Sequence, residues 1–188
     1  MTAVGDPGTK ELLSLEELEA AAGVRTGRKH ILSILVENKP GVLTRIAGLF
    51  ARRGFNIDTL AVGPTDDPAL SRITLTLDGA MHPIDQVTKQ LHKLVNVLKI
   101  RDLEPAETAA REMALFKISA DGDTRGEVMQ VVEIFRGKII DVTRRAVIVE
   151  VTGSHDKIEA FERLVRPFGL IEMARTGEIA IARGRGET

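Results

Sequence analysis

From residue 30 onward, stretches with a two-residue hydrophobic period alternate with stretches at helical spacing. Residues 30–37 (HILSILVE) form a mostly apolar run of strand length, closed by Asn38-Lys39-Pro40-Gly41, residue types that favour a turn. Val42, Leu43, Ile46, Ala47, Leu49 and Phe50 then fall on one helical face, with Arg45, Arg52 and Arg53 off it. Gly54 stands where a helix wants a left-handed residue to end it. Residues 55–63 (FNIDTLAVG) predict a strand, and Pro64 to Pro68 a loop. Ile73, Leu75 and Leu77 alternate with Arg72, Thr74, Thr76 and Asp78, the pattern of a half-buried strand. Pro83 suits the first turn of a helix carrying Ile84, Val87, Leu91 and Leu94. Residues 95–103 return to a strand.

The order β-α-β-β-α-β is that of the ferredoxin-like fold. Right-handed crossovers place both helices on one face of a four-stranded antiparallel sheet. The other face, lined by alternate residues of 30–37 and 73–77, is expected to be apolar and covered by a second copy of the chain. The same order recurs in the second half. Residues 113–119 (MALFKIS) read as a strand, and Thr124 with Glu127 as a capping box before Val128, Val131, Val132 and Phe135, with Gly137 ending that helix. Strands at 138–143 and 146–152 follow. A helix from Ser154 carries Ile158, Phe161, Leu164 and Val165, Pro167 and Gly169 break it, and 170–182 supply a final strand or hairpin. The expectation is an α+β chain of two tandem ferredoxin-like domains at 29–104 and 112–184, with a linker at 105–111. Residues 1–28 form an extension in which Ser14 and Glu17 could cap a short helix.

Composition removes several classes of function. Lys plus Arg total 26 against 27 Asp plus Glu over 188 residues, so no basic excess exists to neutralise nucleic-acid phosphates. The aromatic residues are six Phe, with no Trp or Tyr, which leaves few platforms for stacking bases. There is no Cys, hence no disulfide, thiolate ligand or Cys nucleophile. No apolar run of about 18 residues occurs, so no membrane span is expected. The first residues lack the basic and apolar regions of a signal peptide, and a cytoplasmic location is expected. His30, His82, His92 and His155 show no metal-ligand spacing. Asp121-Gly-Asp123 opens like a calcium loop, but Arg125 and Val132 occupy ligand places. No nucleophile, base and orienting group can be argued as a set.

One segment carries a positive signal. In Glu37-Asn38-Lys39-Pro40-Gly41-Val42-Leu43, Gly41 lies where strand turns into helix. Without a Cβ there, backbone N–H groups at the positive helix end can approach an anion such as a carboxylate. Asn38 precedes that turn and Asn56 follows the helix, so the two amides lie near its opposite ends. They could serve one site only across subunits or by way of the fold. Asn offers a donor and an acceptor, which suits a zwitterion. A tight β-α turn with an Asn cap and a Gly required by geometry accounts for the same residues.

Residues 30–63 (HILSILVENKPGVLTRIAGLFARRGFNIDTLAVG), with Pro64-Thr65, Ser71-Arg72-Ile73-Thr74 and DQVTKQLHKLVNV at 85–97, resemble an ACT domain. More narrowly, they resemble the family of regulatory small subunits of acetolactate synthase (acetohydroxyacid synthase). Glu133-Ile-Phe-Arg-Gly137-Lys-Ile-Ile-Asp-Val142 is similar to that family's C-terminal domain. Residues 1–28 fall outside the resemblance. It implies a non-catalytic subunit that forms a homodimer through its ACT domains, activates the large catalytic subunit and confers feedback inhibition, commonly by valine. It places the effector against Asn38, Pro40, Gly41, Val42 and Leu43, with Asn56 and Ile57 contributed by the neighbouring subunit. It assigns no cofactor to this chain; thiamine diphosphate, Mg and FAD are expected on the catalytic partner. Two other readings stand beside it: an ACT-type amino-acid sensor serving another enzyme, and a ligand-responsive transcription factor. The second lacks room for a DNA-reading element, since the spare segment 1–28 is short and net acidic.

Overall fold

A computed structural model describes residues 29–78, 84–185 and 188. The expected helix at Ser14–Glu17 and the role of Pro83 lie outside the described residues. The first half contains β1 (Lys29–Glu37), α1 (Val42–Arg53), β2 (Thr59–Pro64), β3 (Leu70–Asp78), α2 (Ile84–Leu91) and β4 (Val97–Leu103). Its sheet is antiparallel throughout, in the order β2-β3-β1-β4. Period two sends Leu32, Ile34, Val36, Ile73, Leu75 and Leu77 to one face, where Val42, Ile46, Leu49 and Phe50 of α1 and Val87 and Leu91 of α2 close the core. Gly54 ends α1 at φ 66°, and Phe55 N–H donates back to the Phe50 carbonyl at 3.0 Å, a Schellman closure. Leu43 and Ala47, expected on the buried face, are exposed. Residues 55–58 are not strand; β2 begins at Thr59, because Phe55 and Ile57 turn inward onto the core before the sheet is joined.

The second half contains β5 (Thr108–Ser119), α3 (Arg125–Ile134), β6 (Lys138–Val142), β7 (Ala146–Gly153), α4 (His155–Gly169), β8 (Leu170–Arg175) and β9 (Ile179–Ala182). The order β6-β7-β5-β8 repeats the first sheet. Phe116, Phe161, Val128, Val149 and Ile158 fill its core, and the Phe116 and Phe161 rings meet at 4.9 Å, tilted by 58°.

Several local expectations change. The linker at 105–111 is a 3₁₀ turn at Pro105–Glu107 followed by the start of β5. Thr124 makes no side-chain cap of α3; the Asp121 carboxylate does that work, accepting from Thr124 N–H, Thr124 Oγ1 and Asp123 N–H. Arg136, not Gly137, takes the left-handed conformation after α3, at φ 52°. Gly137 is needed next to it, because a Cβ would meet Val149 and Val132 at 3.1 and 3.2 Å. α4 runs through Pro167 to Gly169; Pro167 falls in the last turn, where its missing N–H removes one hydrogen bond, that to the carbonyl of the exposed Arg163. Residues 170–182 form two strands, not a hairpin, since both β8 and β9 pair with β5.

That double pairing connects the two halves. Ala180 and Ala182 of β9, with Ala110 of β5, pack on Ile31 and Leu103 of the first sheet. The expectation of an open apolar second face on this sheet is therefore corrected. Period two gives that face Ser33, Arg72, Thr74 and Thr76, and Ser33, Thr74 and Thr76 are buried within the chain itself. Arg72 there donates to Ser33 Oγ and to the Thr188 carbonyl.

Candidate functional site

The β1–α1 turn is held from three sides. Asn38 N–H donates to the Ala69 carbonyl at 2.7 Å, and Asn38 Nδ2 donates to the Pro68 carbonyl at 3.0 Å, which pins the turn to the β2–β3 loop. Glu37 accepts from Lys39 Nζ at 2.9 Å and from Asn96 Nδ2 at 2.5 Å. Those two hydrogen bonds, Lys39 first, hold its carboxyl below the usual glutamate value. Arg45 Nη1 donates to Asn96 Oδ1 at 2.8 Å, tying α1 to the residue before β4. Asn96 is thus the hub of the turn, and its place in sequence, 51 residues from Arg45, gave no sign of it.

Gly41 is the residue at the helix start, with φ 82°. A β-carbon would meet nothing within 4 Å, so glycine answers to backbone conformation here and not to crowding. It offers no side chain to cap the first N–H groups of α1, and the first turn holds no acidic residue. Val42 N–H donates to the Lys39 carbonyl at 3.4 Å, and the N–H groups that follow it in the first turn face an outside anion with no side-chain cap from residue 41. Asn38, Pro40 and Gly41 are exposed, Leu43 is 41% exposed, and Val42 is buried as an anchor.

Asn56 and Ile57 sit beyond the other end of α1. Twelve residues at about 1.5 Å each separate the two groups by about 18 Å. One chain does not bring them together. Asn56 is exposed, and its Nδ2 donates to Asp58 Oδ1 at 2.9 Å; Ile57 is half-buried against the core of its own domain. Among the described residues no group of three or more His, Asp or Glu could hold a metal ion. No described helix is long and apolar enough to cross a membrane.

Comparison with known proteins gives two family matches. Residues 32–99 match the ACT domain typical of acetohydroxyacid synthase small subunits, and residues 111–184 match the family described as the small subunit of acetolactate synthase. The chain is 51% identical over 156 residues to a probable acetolactate synthase small subunit of Methanothermobacter thermautotrophicus, covering 82% of this chain and 93% of that one. It is 46% identical to the acetolactate synthase small subunit of Mycolicibacterium smegmatis, covering 82% and 91%. The crystal structure of the Thermotoga maritima acetolactate synthase small subunit superposes with a TM-score of 0.78 at 46% identity, covering 85% of this chain and 99% of that one.

Proposed function

The chain belongs to the family of acetolactate synthase small subunits, and from that premise we propose that it is a non-catalytic regulatory subunit. On this reading it binds the catalytic large subunit, raises its activity, and confers feedback inhibition by a branched-chain amino acid, valine. The observation that supports an amino-acid effector is the uncapped start of α1 at Gly41, free of any acidic residue in its first turn. The valine carboxylate docks on those N–H groups, the exposed Leu43 offers apolar contact for its isopropyl group, and Asn38 lies beside the same turn. Asn56 and Ile57 reach the ligand from a second copy of the chain related by a two-fold axis, which brings opposite ends of α1 to one place. The functional unit is therefore a homodimer through the ACT domains, acting in the cytoplasm. Thiamine diphosphate, Mg and FAD reside on the large subunit.

The isolated protein is expected to form no acetolactate from pyruvate, thiamine diphosphate and Mg, whereas adding it to the large subunit raises that subunit's turnover and makes it sensitive to valine. An acetolactate formation assay with each component alone and with both checks this. Pyruvate consumption by this chain alone, or no effect on the large subunit, contradicts the reading.

A further inference from the structure

A cluster of ionisable side chains lies where the two domains meet, away from the β1–α1 turn. Glu112 of β5 is buried, its side chain 0% exposed, and it accepts from Arg175 Nε of β8 at 2.5 Å. His155, the first residue of α4, has Nδ1 3.0 Å from Glu112 Oε1 and Nε2 2.9 Å from Glu159 Oε1 on its own helix. The same Nδ1 lies 2.8 Å from Arg175 Nη2 and 3.4 Å from Lys29 Nζ. Lys29 is the first residue of β1, so it is the cluster's member from the other domain. Its amine also lies 3.2 Å from Glu178 Oε2, an oxygen that is buried and has no aligned hydrogen bond. Of the remaining charges nearby on α4, Arg163 faces Glu159 at 3.8 Å, and Lys157 Nζ donates to the Thr152 carbonyl at 2.8 Å.

The chemistry at Nδ1 is exclusive. With a proton there, the ring nitrogen donates to Glu112 and has no lone pair for Lys29 or Arg175. Without it, Nδ1 becomes an acceptor and the two cations can donate to it. Glu159, 2.9 Å from Nε2, favours the neutral tautomer that keeps its proton on Nε2, which leaves Nδ1 as the acceptor. We propose that Lys29 and His155 form a proton-sensitive contact between the domains: the neutral ring accepts Lys29 and holds the start of β1 against α4, and the protonated ring repels it.

The sign follows from reciprocity. The hydrogen bond to Glu112 raises the His155 pKa above its ordinary 6.5, while burial and the Lys29 and Arg175 charges work against that rise. Relative to an unfolded chain, His155 therefore adds stability that is full below about 6.5 and lost as pH rises through the native value. Docking of Lys29 has the opposite linkage. Because the Lys29 charge lowers the ring's proton affinity, protonation must weaken Lys29 docking by the same factor. The contact tightens as pH rises through the native His155 value, which lies above 6.5.

NMR titration of the His155 ring in the full chain and in its Lys29→Met variant tests this, with His155→Gln used to assign the signal. The expected result is a higher His155 pKa in Lys29→Met than in the parent, each half unit corresponding to about a threefold change in docking. Hydrogen exchange at the amides of Ile31 and Ala180, corrected for intrinsic rates, should slow with rising pH in the parent and lose that dependence in Lys29→Met. An unchanged or lower His155 pKa in Lys29→Met, or the same pH dependence of exchange in both proteins, overturns the proposal. The contact does not depend on the effector reading, and neither measurement requires valine or the large subunit.

Discussion

Gly41→Asp is expected to leave the protein folded and able to stimulate the large subunit, while weakening valine binding at least about tenfold, or about 1.4 kcal/mol. The first N–H groups of α1 attract an anion by about 0.3–1 kcal/mol when exposed and up to about 2 kcal/mol when partly buried. An aspartate at the helix start competes for the attraction of the positive helix end and sets a like charge beside the ligand carboxylate. Both effects act on the ligand and hardly on the fold. A β-carbon at Gly41 meets nothing within 4 Å, and an Asp held at the φ of 82° carries backbone strain of about 1–2 kcal/mol, which lowers stability without unfolding the domain. Calorimetric valine titration beside an inhibition curve of the reconstituted enzyme separates lost binding from lost folding. Unchanged valine affinity would place the ligand elsewhere.

Glu112→Gln is expected to have the largest effect on stability, about 3 kcal/mol. The change keeps the shape of the side chain but removes the buried negative charge that faces Arg175 and His155. Breaking a buried ion pair by removing one partner costs about 3–5 kcal/mol; the lower end applies because Arg175 and His155 are 19% and 34% exposed and regain some hydration. Burial pushes the Glu112 carboxyl up, but the His155 and Arg175 hydrogen bonds and charges outweigh burial and hold it below 4.5. Its contribution is therefore present above pH 4.5 and lost as pH falls through the native value. With no Trp or Tyr, far-ultraviolet circular dichroism is the suitable probe. The urea midpoint of the second domain should fall by about 2–3 M, given slopes of about 1–1.5 kcal/mol per molar for a domain of this size. A midpoint unchanged at pH 7 would show that the cluster is electrostatically neutral to the fold.

Local pattern carried much of the architecture. The alternation of Ile73, Leu75 and Leu77, the helical spacing of Val42, Ile46, Leu49 and Phe50, and the stop at Gly54 all report interactions within one element or between neighbours, so they are legible in order along the chain. The ACT-domain match at 32–99 spans those residues. What escaped depends on partners distant in sequence. Thr108 to Arg111 look like a linker because Ala109 and Ala110 are small, yet they pair with β9, about 70 residues later, and small side chains are what let that ribbon lie on Ile31. Glu112 shares the inward register of β5 with Ala114, Phe116 and Ile118. That position was a signal, since a carboxylate in a buried phase needs a cation, but nothing in spacing names Arg175 or His155 as its source. In the candidate site, the helix start at Gly41 was readable because its chemistry is backbone chemistry. Asn96 was not, because its role comes from the register of β4 against β1.

The proposed effector site is shared between two copies, with Gly41 from one and Asn56 from the other. Valine titration of dimers obtained by co-expressing the Gly41→Asp and Asn56→Ala chains tests it most directly. Each parent variant alone should retain no site of native affinity, since both of its sites carry the lesion. A mixed dimer gathers both lesions at one site and leaves the other intact, so random assortment should restore about a quarter of all sites to native affinity. A mixture that binds valine no better than the two separate variants would contradict a site shared across the two-fold axis.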